Sequence, residues 1–249
     1  MDDNQLLRYS RQIMLPDIEI AGQEKLLAAS VLIVGMGGLG SPVAMYLAAA
    51  GVGQLVLNDF DQVEINNLQR QIIHRDSDIG RAKVESARDT LQSINPQTQI
   101  EVLSHRLDAA EMFSRISAVD LVVDASDNFS TRFAINEACV KTRTPLVSGA
   151  AIRFEGQVMV YDPDLPDCPC YSCLYETVDD SQLNCATNGV AAPVVGVIGS
   201  IQAMEALKLI TGAGQSLAGY LLIFDARTMD WKKLRLPRKK NCKVCSLES

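Results

Sequence analysis

Gly35, Gly37 and Gly40 stand at the spacing G-x-G-x-x-G, with Gly38 as an extra glycine, between the apolar run VLIV at 31–34 and a small-residue helical pattern opening at Ser41 and Pro42. Glycines there let the backbone turn tightly and approach a phosphate, to which the amides of a helix N-terminus can donate. Asp59 ends the next apolar run, LVLND, where a carboxylate can accept ribose hydroxyls. Such glycines also occur in plain turns. Their setting between a strand and a helix, with an acid after the second strand, favours nucleotide binding without identifying the nucleotide.

Two basic residues bear on that identity. NNLQRQ at 66–71 brings Arg70 close in sequence to the ribose position, and Lys83 begins the next helix. Backbone amides can largely satisfy the two-phosphate bridge of a dinucleotide, whereas a triphosphate benefits from Arg and Lys, so the pair leans toward ATP. Taken singly, either residue is better read as a surface charge. Asp127 and Asn128 follow the fourth strand, at the edge where open α/β sheets bind ligands. Asp127 reads with equal weight as a magnesium ligand beside phosphates or as a helix N-cap.

The chain has seven cysteines. Cys170 and Cys173 form one CxxC pair, Cys242 and Cys245 another, and four thiolates suit a closed, structural, tetrahedral zinc site. Two disulfides are the alternative, disfavoured in a reducing compartment. Cys168, in CPCYSC, competes in register with Cys170, while Cys139 lies in a predicted helix as packed core. Cys185, in LNCATNG, reads as a loop thiol without a required role. His74 and His105, the only two histidines, read as surface or hydrogen-bonded structural residues.

The elements that must position these groups alternate. Helical spacing over 4–29 precedes strands at 31–34 and 55–59, a helix over 80–95, a strand at 100–104, a helix over about 108–118 and a strand from 120. A helix over about 130–142 and a strand at 145–149 follow. The alternation predicts a Rossmann-like, doubly wound α/β fold, its mainly parallel sheet covered by helices on both faces. Runs at 156–162, 220–225 and 231–236 alternate like antiparallel strands, and 189–212 reads as a packed helix interrupted near Pro193. Residues 162–188 read as a long loop or crossover, whose length suggests function. The 249 residues fit one domain: N-terminal helices over 1–30, a nucleotide-binding core over 31–150 and a zinc-bearing part over 151–249. A net charge of −7 and a pI near 4.9 speak against nucleic acid as a partner, so basic residues must be placed locally for any anion. The charged N-terminus does not read as a signal peptide and no apolar run reaches the length of a membrane span, which gives a cytoplasmic expectation.

RYSRQI, GMGGLG, NNLQRQ, KVESARD, SDN, SGAAIRFEGQ, GVIGSIQAMEALK and the two CxxC pairs, from about Leu6 to Cys245, resemble the MoeB/ThiF family, relatives of ubiquitin-activating enzymes. The resemblance implies ATP-dependent adenylation of the C-terminal glycine of a small ubiquitin-like sulfur-carrier protein, with 151–249 as the carrier-binding part. KVESARD, GAAIRFEGQ and GVIGSIQAMEA look most like the branch acting on the small subunit of molybdopterin synthase, in molybdenum cofactor biosynthesis; the thiamine-pathway carrier is the alternative. Carried over by motif, Gly38, Asp59, Asn66, Asn67, Leu68, Gln69, Arg70, Lys83, Asp127 and Asn128 would hold ATP. Asp127 would position Mg2+, while Arg70, Lys83 and Arg11, the last reaching from a partner subunit of a homodimer, would neutralise developing charge. Cys185 aligns with a cysteine that bonds covalently to the carrier in some relatives. The sulfur donor is expected to be another protein. A nicotinamide-dependent oxidoreductase and a non-catalytic carrier-binding scaffold are the competing classes.

Overall fold

The computed structural model describes residues 1–175 and 189–248. Helical spacing at the N-terminus resolves into α1 (Asp3–Arg8), α2 (Ser10–Ile13) and α3 (Glu19–Ala28), with Pro16 in the break before α3, where its ring and missing N–H bar a continuous helix. Then follow β1 (Ser30–Val34), α4 (Gly40–Ala50, closed by Gly51), β2 (Gln54–Asn58), α5 (Lys83–Ile94), β3 (Gln99–Leu103), α6 (Ala109–Ser117), β4 (Leu121–Asp124), α7 (Phe129–Thr142) and β5 (Leu146–Ile152). The second half contributes β6 (Glu155–Tyr161), α8 (Tyr171–Leu174), α9 (Ala192–Thr211), β7 (Tyr220–Asp225) and β8 (Asp230–Arg235).

The eight strands among the described residues form one sheet in the order β3-β2-β1-β4-β5-β6-β7-β8. The first five are parallel and the last three antiparallel. Val31, Leu32 and Ile33 of β1 and Val122 and Val123 of β4 are fully buried, as befits strands covered on both faces, whose apolar runs are continuous rather than alternating. Each such side chain contributes about 1.5–3 kcal/mol of burial. β5 runs past the expected end at 149 because it turns directly into β6, the register closing at Ile152 opposite Glu155.

Three expectations are corrected. The helix read over 80–95 starts only at Lys83, because residues 80–83 pair with 61–63 instead: Gly80 N–H donates to Val63 C=O, Val63 N–H to Arg81 C=O and Lys83 N–H to Asp61 C=O. Pro193 opens α9 rather than interrupting it; in the first turn its missing N–H has no partner to lose. And α9 does have the length and composition of a membrane span, yet here it is a core helix packed on α3, α4, β5 and β6, with Ile198 and Ala206 fully buried. Within the long loop read over 162–188, α8 forms a short helix; Cys185 lies outside the described residues.

Candidate active site and metal centre

β1 is flanked by β2 and β4, so the strand order reverses there and a crevice opens beyond the carboxyl ends of the strands. A cavity of about 360 Å3 occupies it, walled by the glycine loop after β1, Asp59–Asp61 after β2 and Ala125–Asn128 after β4. Gly35 has φ +97°, and a Cβ on it would lie 2.6 Å from the Ala125 carbonyl oxygen. A Cβ on Gly40 would lie 1.9 Å from the carbonyl oxygen of Gly35, so the loop folds only because both positions lack side chains. Gly40→Ala is accordingly expected to destabilise the protein by about 1–3 kcal/mol, read as a lower denaturant midpoint at unchanged slope. Gly38 and Gly37 line the cavity.

Asp59 sits at the end of β2 with both oxygens engaged by backbone, Oδ2 by Met36 N–H at 2.8 Å and Oδ1 by Asp61 N–H at 2.9 Å. Lone pairs remain on each oxygen for further donors. Burial pushes its pKa up, opposed chiefly by the Lys83 ammonium. Lys83 is no surface charge: its side chain is 8% exposed, with Nζ 2.8 Å from Asp61 Oδ2 and 4.0 Å from Asp59 Oδ2. Arg70 also lines the cavity, braced by donation from Nη1 to Asn66 C=O at 3.0 Å. Asn66, Asn67, Leu68 and Gln69 do not line it. Asn67 Nδ2 donates to Asn66 Oδ1 at 2.6 Å and Asn67 Oδ1 accepts Glu64 N–H at 3.2 Å, so these side chains shape the turn that delivers Arg70.

The N-cap of α7 is Asn128, whose Oδ1 accepts Thr131 N–H at 2.9 Å. Asp127 does not cap; it is exposed and borders both the main cavity and an adjoining one of about 170 Å3. Two further cations line the main cavity, and sequence reading missed both. Arg106 lies 4.8 Å over the Phe60 ring, and buried Arg132 donates from Nη2 to Ser126 C=O at 2.7 Å. Their signal was position: Arg106 lies just beyond the carboxyl end of β3, and Arg132, in the first turn of α7, reaches back to the carboxyl end of β4, the edge open sheets use for ligands. With Arg70 and Lys83 they place four cations on one cavity of a chain of net charge −7. Arg11 is exposed on α2 and does not line the cavity of its own chain.

The metal centre joins α8 to the C-terminus. Cys170, Cys173, Cys242 and Cys245 are buried, with their sulfurs all within 4.8 Å of one another; Cys170 and Cys242 are 3.7 Å apart and Cys173 and Cys245 3.5 Å. A tetrahedron with Zn–S bonds of about 2.3 Å has sulfurs about 3.8 Å apart, so the four thiols fit zinc, and none is in a disulfide. Cys168 stands outside the cluster, its sulfur accepting Asp162 N–H at 3.4 Å, which assigns the ligand position to Cys170. The hydrogen bond from Cys170 pulls the Cys173 thiol down, while burial pushes that of Cys245 up. Lys239 N–H donates to the Cys173 sulfur at 3.4 Å and Asn136 Nδ2 to that of Cys170 at 3.7 Å, second-layer contacts that orient the ligands. Cys139 is fully buried core. His105 is exposed beside Glu111, at 2.9 Å.

Residues 9–245 match the model of the ThiF family. The molybdopterin-synthase adenylyltransferase of Salmonella typhimurium is 48% identical over 98% of each chain, and the sulfur carrier protein ThiS adenylyltransferase of Escherichia coli 46% identical over 98% of this chain and 97% of its own. Among solved structures, E. coli MccB with ATP superposes with a TM-score of 0.84 at 25% identity, covering 96% of this chain and 74% of that one. Matched over residues 9–245 and 46–48% identical to these relatives over nearly its whole length, this chain belongs to the ThiF family.

Proposed function

We propose that this chain adenylates the C-terminal glycine carboxylate of a small ubiquitin-like sulfur-carrier protein, with the molybdopterin-synthase subunit as the leading substrate. The carrying observation is the pair of adjoining cavities. The larger brings four cations, Lys83 already paired with Asp61, to a wall that also carries Asp59 and Asp127, and the three guanidinium groups beside that pair support a triphosphate over the nicotinamide reading. The smaller, lined by Ala150, Gly156, Gln157 and Tyr175, meets it at Asp127 and Arg132 and suits a thin peptide tail.

In this reading the glycine loop and Asp59 seat the nucleotide, and a carrier carboxylate oxygen attacks the α-phosphorus. The bond to the β-phosphate oxygen breaks, releasing pyrophosphate and leaving an acyl-adenylate. Lys83 and Arg70 neutralise charge on the phosphates as it shifts toward the leaving group, so the protein acts by positioning and electrostatics. Asp127, exposed at the junction and free of capping duty, is the carboxylate that would hold Mg2+, which when bound offsets phosphate charge. Asn128 would add a polar contact, and the 66–69 turn acts by holding Arg70. That Asn128 and not Asp127 caps α7 supports the ligand role for Asp127.

Leu7, Met14, Leu15 and Ile20 expose apolar surface on the N-terminal helices around Arg11. That supports a homodimer in which Arg11 serves the partner's cavity. Packing of α9 on α4 supports reading 1–249 as one adenylation domain. Reduced cysteines and a zinc site suit a cytoplasmic setting, with sulfur delivered to the adenylate by a separate donor protein.

The test is exchange of labelled pyrophosphate into ATP with each purified carrier. Exchange dependent on the molybdopterin-synthase subunit is expected; exchange only with the thiamine-pathway carrier would reassign the substrate, and none with either would remove the reading.

A further inference from the structure

Under the glycine loop lies a buried histidine that the adenylation chemistry does not use. His74 Nε2 is 2.9 Å from the Met36 carbonyl oxygen, and Nδ1 is 2.8 Å from Ser86 Oγ, itself 2.8 Å from Asp78 Oδ2. Met36 is the loop residue between Gly35 and Gly37, and its N–H is the one that Asp59 accepts. His74 and Asp59 thus grip the two sides of a single residue of the nucleotide cradle.

Counting protons decides the state of the ring. A carbonyl oxygen only accepts, so Nε2 carries a hydrogen. The remaining two contacts, Nδ1 to Oγ and Oγ to Oδ2, need two hydrogens, and the serine hydroxyl supplies one. The other belongs on Nδ1 or on Asp78. Asp78 accepts Arg75 N–H at 3.0 Å and Arg81 Nη1 at 2.8 Å. Although burial raises its pKa, these donors with Ser86 hold it below the ordinary carboxylate value, so Asp78 is the anion and the proton goes to the imidazole. A neutral ring would leave two lone pairs facing each other at 2.8 Å in a buried site, at the cost of an unsatisfied buried polar contact.

Other charges face the ring. Burial is the strongest influence and favours the neutral form, as does Lys83 on α5; Asp59 after β2 and Asp78 in the 76–78 turn favour the charged form, as does the Met36 carbonyl, and their balance lowers the ring below the ordinary imidazole value, against which the proton count stands. None of these supplies the hydrogen missing between Nδ1 and Ser86.

We propose that His74 is a positioning residue held as an imidazolium by Asp78 through Ser86, and that its Nε2–H fastens the Met36 carbonyl so that the glycine loop is set for nucleotide. Loss of the Nδ1 proton on raising pH breaks the bond to Ser86 and turns the Nε2–H donor on the Met36 carbonyl from charged to neutral, which weakens its hold on the loop. The effect on ATP rests on the adenylation reading; the protonation state does not.

The full-length protein, labelled with 15N-histidine, gives two imidazoles, and His105→Gln leaves that of His74 alone. Both His74 nitrogens are expected to show the protonated signature at about pH 6.5, where an unperturbed imidazole is half charged. Ser86→Ala, and independently Asp78→Asn, should convert the ring at that pH to one protonated and one bare nitrogen. In the exchange assay, Ser86→Ala should raise the KM for ATP up to about tenfold with kcat little changed, the difference between a charged and a neutral donor on the Met36 carbonyl. In the unsubstituted protein KM should climb by a similar factor as pH passes the titration seen by NMR, while Ser86→Ala stays flat. A neutral ring at about pH 6.5 in the unsubstituted protein overturns the proposal, as does a KM for ATP that ignores the titration. Absence of exchange with a charged ring overturns the adenylation reading instead.

Discussion

Asp127→Asn is expected to lower carrier-dependent pyrophosphate exchange by about a hundred- to a thousandfold while the protein stays folded. The substitution keeps the shape and removes the charge. Asp127 is exposed, Asn128 Nδ2 lies 3.3 Å from its Oδ1, and no helix end depends on it, so stability has little to lose. Its neighbour gives the opposite pattern. Asn128→Ala removes the acceptor for Thr131 N–H, and the lost cap should cost about 1 kcal/mol, a fall of about 2–4 °C in Tm. Exchange rates and calorimetric midpoints measured on both variants separate the roles. An Asp127→Asn protein exchanging at close to the unsubstituted rate would exclude Asp127 from the chemistry.

Stripping zinc is expected to lower Tm by about 8–16 °C. Each cross-link in the cysteine cluster joins positions 72 residues apart. By analogy with a disulfide, closing a loop of that length removes about 4 kcal/mol of freedom from the unfolded chain, and a domain of this size shifts about 2–4 °C per kcal/mol. The reference state matters, because a metal-free cluster keeps four buried thiols with nothing to bond them strongly. The measurement is calorimetry before and after chelation, with elemental analysis confirming removal, and Cys245→Ser as a genetic counterpart. Equal midpoints with and without metal would show that the tail is held by packing alone.

The parts of this molecule that were legible in its sequence are those whose meaning is local. Gly35 and Gly40 are required by contacts within a few residues or with the adjacent strand, so their spacing announces the loop. The parallel core could be read from continuous apolar runs such as VLIV, since strands buried on both faces have no choice of pattern. Lys83 was ambiguous because its burial follows from the pairing of 80–83 with 61–63, which no periodicity reports. Asn66 to Gln69 were read as nucleotide contacts through resemblance alone; what one dimension did not show is that Asn66 and Asn67 bond to each other and to Glu64. The register of CPCYSC was undecidable in one dimension; only the position of Cys242 and Cys245 selects Cys170 over Cys168. Arg106 and Arg132 escaped because a strand end becomes a ligand edge only once the strand order is known.

A segment as greasy as α9 is a hazard to any nascent chain, since in isolation it would partition into lipid or stick to other unfinished proteins. Chain order removes much of that danger. The elements that cover it, α3, α4, β4, β5 and β6, are all encoded upstream, so the docking surface has already left the ribosome when α9 follows. The same helix placed at the start of the gene would have to wait, bare, for its cover to be translated.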